Sequence, residues 1–238
     1  MDKDINFYGR ANRVLIEHAL QQGALKDCQI AECDLCNLQV SDAVWNNVHV
    51  RDLHANDAGF NNSTLEKSVF FRSSFMRASF DRTVLSSMVF DGLTLIKSRW
   101  NACCLTDTAM KNLSLQRSVF YGSRFISSMF LDFEALDVKM DNCIFAHCTI
   151  SINYGSGMNG FSNAEISNCI FYNCRFEGYP LRGSGVKSCV FAYCAGQIGD
   201  DMECNNTAGI GLKGRANRKS VVNQIEGQRL IETFGGNA

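Results

Sequence analysis

The chain has 238 residues, and its 23 Lys and Arg balance 24 Asp and Glu to leave a net charge of −1. That length admits one large domain or two small ones, and the charge balance argues against a simple polyanion binder and against a strongly acidic DNA mimic. A hydrophobic content of 46% excludes a disordered chain, while no apolar run approaches the roughly 18–20 residues of a transmembrane helix.

The first ten residues, MDKDINFYGR, lack the apolar run of a secretory signal. The expectation is therefore a cytoplasmic chain whose 12 Cys are reduced thiols rather than a disulfide framework. Residues 12–23 read as a short helix, with Asn12 as N-cap and Gly23 just past its end. Leu15 and Ala19 are expected to lie against the next element.

From Leu25 the pattern changes to neither a helical nor a strand period. Every fifth residue from Leu25 to Ile150 is apolar, at all 26 positions. At 46% apolar composition, chance would give such a run about once in 10⁹ trials. A second register lies two residues before each of these. From Cys28 to Cys148 it holds 25 positions, of which 19 are Cys, Ala, Ser, Thr or Val. The other three residues of each five are mostly polar, as in Ser-Phe-Asp-Arg-Thr at 79–83. After Ile150 the pattern restarts at Phe161 and continues through Ile166, Phe171, Phe176, Leu181, Val186 and Phe191. Eleven residues separate Ile150 from Phe161 where ten would keep phase, so SINYGSGMNG (151–160) reads as carrying a one-residue insertion.

This unit of small residue, polar residue, Leu or Phe, and two polar residues resembles the pentapeptide-repeat family, over roughly residues 24–196. The Phe, Ser and Cys content marks a divergent member. The resemblance implies an all-β solenoid, a right-handed quadrilateral β-helix with four pentapeptides per coil. A 20-residue coil then stacks residue n on n+20, and on n+21 across the insertion. It puts Phe60, Phe80, Trp100, Phe120 and Met140 in one ladder, and Phe70, Phe90, Met110, Phe130 and Ile150 in another. It also puts Cys148, Cys169 and Cys189 in one column. The single proline, Pro180, fits, because every coil needs its backbone N–H groups for the ladder.

Solenoid ends need caps. The expected organisation is an N-terminal capping helix (1–23), the β-helix (24–199), and a loop with a C-terminal helix (200–238) that caps the rod or forms a homodimer contact. Val222, Ile225, Leu230 and Phe234 are the apolar members of that last helix.

Candidate chemistry is sparse. Nine Cys fall in the small inward register, where a thiol serves as a small apolar filler; Cys36, Cys104 and Cys204 fall outside it. Cys33 and Cys36 have zinc-like spacing, but no second pair fits. Two G-x-G-x-x-G strings, at Gly155 and Gly209, lack the strand and helix context of a nucleotide fingerprint. The four His form no triad with Ser and Asp. We therefore expect no enzyme activity, no metal and no cofactor.

Surface charge is less uniform. Residues 25–57 sum to −4, residues 66–124 to +5, and residues 132–177 to −4. A 20-residue coil aligns Asp57, Arg77, Lys97, Arg117 and Asp137 in one outward column. Two readings stand: a solvated charge ladder, or a basic stripe for an acidic partner. Arg77, Lys97 and Arg117 are accordingly candidate partner-binding residues. Tyr154 and Met158, on the expected outward bulge, are two more.

The expected function is a non-catalytic scaffold that binds another macromolecule, a protein, through its faces and loops. Direct nucleic-acid binding is not expected. Two alternatives come from the resemblance alone. One is a DNA mimic that binds and protects gyrase. The other is a bacterial effector acting in host cells, exported by a specialised secretion system without a cleaved signal.

Overall fold

In the computed structural model, residues 5–9, 12–153, 155–199 and 202–204 are described. Each five-residue unit forms one straight side, so four sides close a 20-residue coil. Strand pairing is parallel, and it steps by 20 through most of the rod. Leu25 pairs with Trp45, Leu65 with Leu85, and Phe80 with Trp100. Three sides carry three-residue strands, and the fourth is joined by single bridges such as His54 to Ser74. Both expected ladders are present. Phe60 through Met140 are in register, and so are Phe70 through Ile150.

The core follows from the five-residue period. All 26 large positions from Leu25 to Ile150 are buried, as are all 25 positions of the small register. Aromatic rings stack between coils, with centroids of Phe80 and Trp100 4.1 Å apart and those of Phe145 and Phe171 4.9 Å apart. Nine buried Ser and Thr fill small slots. All but the Ser98 hydroxyl donate to backbone carbonyls, as from Ser123 Oγ to the carbonyl of Trp100 at 3.1 Å. The polarity of these small slots is thus satisfied inside the rod.

The corners carry the backbone strain. From Leu25 to Phe145, the second residue after each large one turns with positive φ, at 59° for Asp57, 57° for Arg77 and 50° for Ala102. Many corners are Asn or Asp, which enter this region most readily among residues with a side chain. Corner N–H groups still bond across coils, as from Arg77 to the carbonyl of Ile96 at 2.9 Å.

The ends differ in part from the sequence reading. A strand β1 (Ile5–Tyr8) precedes the helix and pairs in parallel with β2 (Ala24–Ala31), so ladder pairing begins before the repeat does. Its Phe7 is buried opposite Ile30. The helix α1 (Arg13–Gln21) buries Ile16 and Leu20. Ala19 packs against the core as expected, but Leu15 points to solvent at 57% exposure. Asn12 makes no side-chain cap bond; its amide donates instead to the carbonyl of Tyr8. Gly23, at φ 98°, ends the helix as expected. At the other end Ala195–Gly199 pairs antiparallel with Met202–Cys204. The expected C-terminal helix at 217–234 lies outside the described residues.

The insertion is six residues long, not one. Lys139 pairs with Glu165, Ile144 with Ile170, and Thr149 with Arg175, each a step of 26. The step then returns to 20, as from Ile170 to Val190. Repeat phase records an insertion only modulo five, and six leaves the same remainder as one. The thiol columns shift accordingly. Cys148 stacks with Cys174 and Cys194, while Cys143 stacks with Cys169 and Cys189.

Candidate interaction surface

The outward column from Asp57 to Asp137 lies along one corner of the rod. Arg77 grips Asp57 through two hydrogen bonds, Nε to Oδ1 at 2.7 Å and a guanidinium nitrogen to Oδ2 at 2.6 Å. Those bonds hold the Asp57 carboxyl below its usual range and raise Arg77. At the other end Arg117 and Asp137 stand 3.9 Å apart. Lys97, between them, forms no ion pair among the described residues. The column therefore presents one uncompensated cation between two paired ones. Both ion pairs are exposed, so each adds little to stability.

The insertion carries the other candidates. The backbone N–H of Asn153 donates to Asp132 Oδ1, 2.7 Å away, and its own Oδ1 accepts from the N–H of Gly155. Ser156 closes the turn onto the carbonyl of Asn153. Residues 155–157 are exposed and Met158 is half-buried. Tyr154 lies outside the described residues. The corner column and the insertion loop remain separate features along the chain.

Cysteine chemistry follows burial and the neighbouring thiols, since the bond to Cys169 lowers Cys143 and Cys189. The nine thiols of the inward register are buried, and Cys36 and Cys104 are half-buried. Buried thiols donate to carbonyls much as the serines do, as from Cys148 Sγ to Phe125 at 3.3 Å. Desolvation pushes Cys28 up to about 11 and Cys103 up to about 12, far from the reactive thiolate range. Cys33 points inward and bonds the carbonyls of Gly9 and Ala31, whereas Cys36 stands outside, so the zinc-like pair is split between two faces. Cys204 has no described side chain. Of the first glycine string, Gly160 is buried at the bridge to Glu134, while Gly155 and Gly157 are exposed in the loop; the second lies outside the described residues.

Outward apolar side chains are not singled out by the repeat pattern. Tyr121 is 52% exposed and Val119 39%, on the side that follows the charged corner. The available signal is a pair of apolar residues at outward positions of one five-residue unit.

No protein-family model matches the chain, and no curated protein matches it. Among solved structures it is similar to HetL, a pentapeptide-repeat protein involved in heterocyst differentiation regulation from the cyanobacterium Nostoc sp. strain PCC 7120, with 11% identity over 80% of this chain and 90% of that one, at a TM-score of 0.39. It is also similar to QnrB1, a plasmid-mediated fluoroquinolone resistance protein. A trypsin-treated variant of QnrB1 shares 12% identity over 98% of each chain at a TM-score of 0.42, and the full-length form 11% over 90% of this chain and 100% of that one at 0.41. The solenoid itself rests on the strand register and the buried ladders.

Proposed function

We propose that this chain is a non-catalytic repeat scaffold whose outward sides bind another protein. One observation carries the reading. Folding consumes every inward residue of the five-residue units from Leu25 to Ile150, yet Phe71, Val84, Val119, Tyr121 and Met129 stay exposed on outward positions. A solenoid needs none of these for its core, and exposed apolar residues beside charges are the material of interfaces. Among the described residues no helix is long and apolar enough to cross a membrane, and no group of three or more metal-ligating side chains assembles. A gyrase-binding DNA mimic would need an acidic rod, and the +5 band of residues 66–124 speaks against it.

The test is affinity capture from a lysate of the protein's own cells, with the folded rod and a heat-unfolded control as baits. The reading expects a protein retained near stoichiometric yield by the folded rod alone. Equal retention by both baits, or none by either, would contradict it.

A further inference from the structure

The side that follows the charged corner concentrates what the rest of the rod disperses. Val119 and Tyr121 flank the inward Phe120 and both face outward. In the coil before them the register puts Arg99 beside Val119 and Asn101 beside Tyr121. In the coil after, it puts Lys139 beside Val119 and Asp141 beside Tyr121. Coils lie about 4.8 Å apart, so these are side-by-side neighbours. Lys97 stands at the corner two residues before Arg99, and Arg124 starts the next side three residues after Tyr121.

Three cations here lack an ion pair, whereas Asp81 and Asp137 are each paired with an arginine and Asp141 is hydrogen-bonded by neutral side chains. Lys97, Arg99 and Arg124 are exposed and form no ion pair among the described residues. Asp81 holds Asn101 and Arg82. Asp141 accepts from Ser167 at 2.8 Å and from Asn168 at 2.7 Å. Asp137 faces Arg117 at 3.9 Å. The result is an exposed Tyr-Val pair, 52% and 39% open, with Arg99 beside it, Lys97 at the preceding corner and Arg124 at the start of the next side. Tyr and Arg are the residues most enriched where binding energy concentrates.

Charge also limits the shape of what can dock. The basic band is bounded by segments of −4 on either side. A long polyanion such as RNA would run from the patch onto acidic coils, and like charges there would repel it. A short acidic segment ends before it meets them.

We propose that Lys97, Arg99, Val119, Tyr121 and Arg124 form the docking site for an acidic protein segment that carries an apolar side chain between its carboxylates. The proposal rests on the scaffold reading and deepens it by naming the side and the partner's chemistry. The carboxylates meet the three cations, and the apolar side chain lies on Tyr121 and Val119.

Fluorescence anisotropy tests it with three labelled probes: a glutamate-rich peptide with a central Leu-Trp pair, the same peptide with Ser in place of that pair, and a single-stranded oligouridylate of equal charge. Wild type is expected to bind the Leu-Trp peptide about tenfold tighter than the Ser peptide. Joint Lys97→Glu, Arg99→Glu and Arg124→Glu should weaken it by about tenfold or more. Tyr121→Ala should weaken it about tenfold with an unchanged melting temperature. Reversal at Lys26, Lys67 and Lys187, elsewhere on the rod, should leave it within about twofold. Equal loss from the control reversals, no preference for Leu-Trp, or tighter binding of the oligouridylate would each overturn the site. Capture of the natural partner that survives the patch reversal would overturn the site and leave the scaffold reading standing.

Discussion

Trp100 donates its indole N–H to Ser98 Oγ at 2.9 Å, and Ser98 in turn meets Ser118 Oγ at 3.0 Å. The donor and acceptor are two residues apart, in the large and small slots of one five-residue side. The rod's other tryptophan, Trp45, occupies the same kind of slot, but its small partner is Ala43. Its buried Nε1 has no hydrogen-bond partner.

A hydroxyl at position 43 should therefore supply what Trp45 lacks. Ala43→Ser is expected to raise stability by about 1 kcal/mol, and Ser98→Ala to lower it by about 1–3 kcal/mol. Urea unfolding monitored by tryptophan fluorescence measures both. An Ala43→Ser rod less stable than wild type would show that slot 43 has no room for the oxygen.

The corners offer a second gain. Ala102 is exposed and held at φ 50° without the side-chain chemistry that eases this region for Asn or Asp. Ala102→Gly should stabilise the rod by about 1 kcal/mol, because relief of the left-handed strain outweighs glycine's extra unfolded-state entropy. A fall in the unfolding midpoint would contradict this.

The Asp57 to Arg77 contact makes a pH prediction. The folded carboxyl lies below its ordinary value of 3.8, held there by the arginine's hydrogen bonds. A depressed acid contributes stability that is full above the unfolded value and lost as the pH falls through the folded one. Wild type should thus be slightly more stable than Asp57→Asn at neutral pH, with the gap closing below pH 3.8. Since both groups are exposed, the gap should shrink with added salt. A gap that widened on acidification would refute the assignment.

The insertion can be removed whole. Deleting residues 153–158 joins Ile152 to Asn159 and restores a step of 20 between Ile144 and its next neighbour in the ladder. The deletant should fold with an unfolding midpoint within a few degrees of wild type, because surface loops tolerate length change. Failure to fold would show that the loop helps close its coil.

What is legible in the sequence follows from what a repeat encodes. Burial at every fifth residue is readable because each side makes the same demand, two inward side chains, one large and one small. The true length of the insertion is not, since a period of five registers only the remainder. β1 escapes a periodic reading because its pairing with β2 precedes the repeat and uses a step of 23, from Ile5 to Cys28. The outward position of Leu15 escapes it too, because a helix this short offers too few apolar residues to fix which face is buried; Ile16 and Leu20 take the core side. The corner column of Arg77, Lys97 and Arg117 is legible from 20-residue alignment alone. Which of those cations stays uncompensated depends on side-chain geometry, and Arg99, Val119, Tyr121 and Arg124 join Lys97 only when corner and side are seen together.

Hydrogen exchange on the rod, with and without its captured protein partner at saturation, tests the scaffold account most directly. The account predicts that the partner slows exchange in segments of one side, centred on residues 99–101 and 119–121, and leaves β1 and α1 unchanged. Exchange identical in the two states along the whole rod would contradict it.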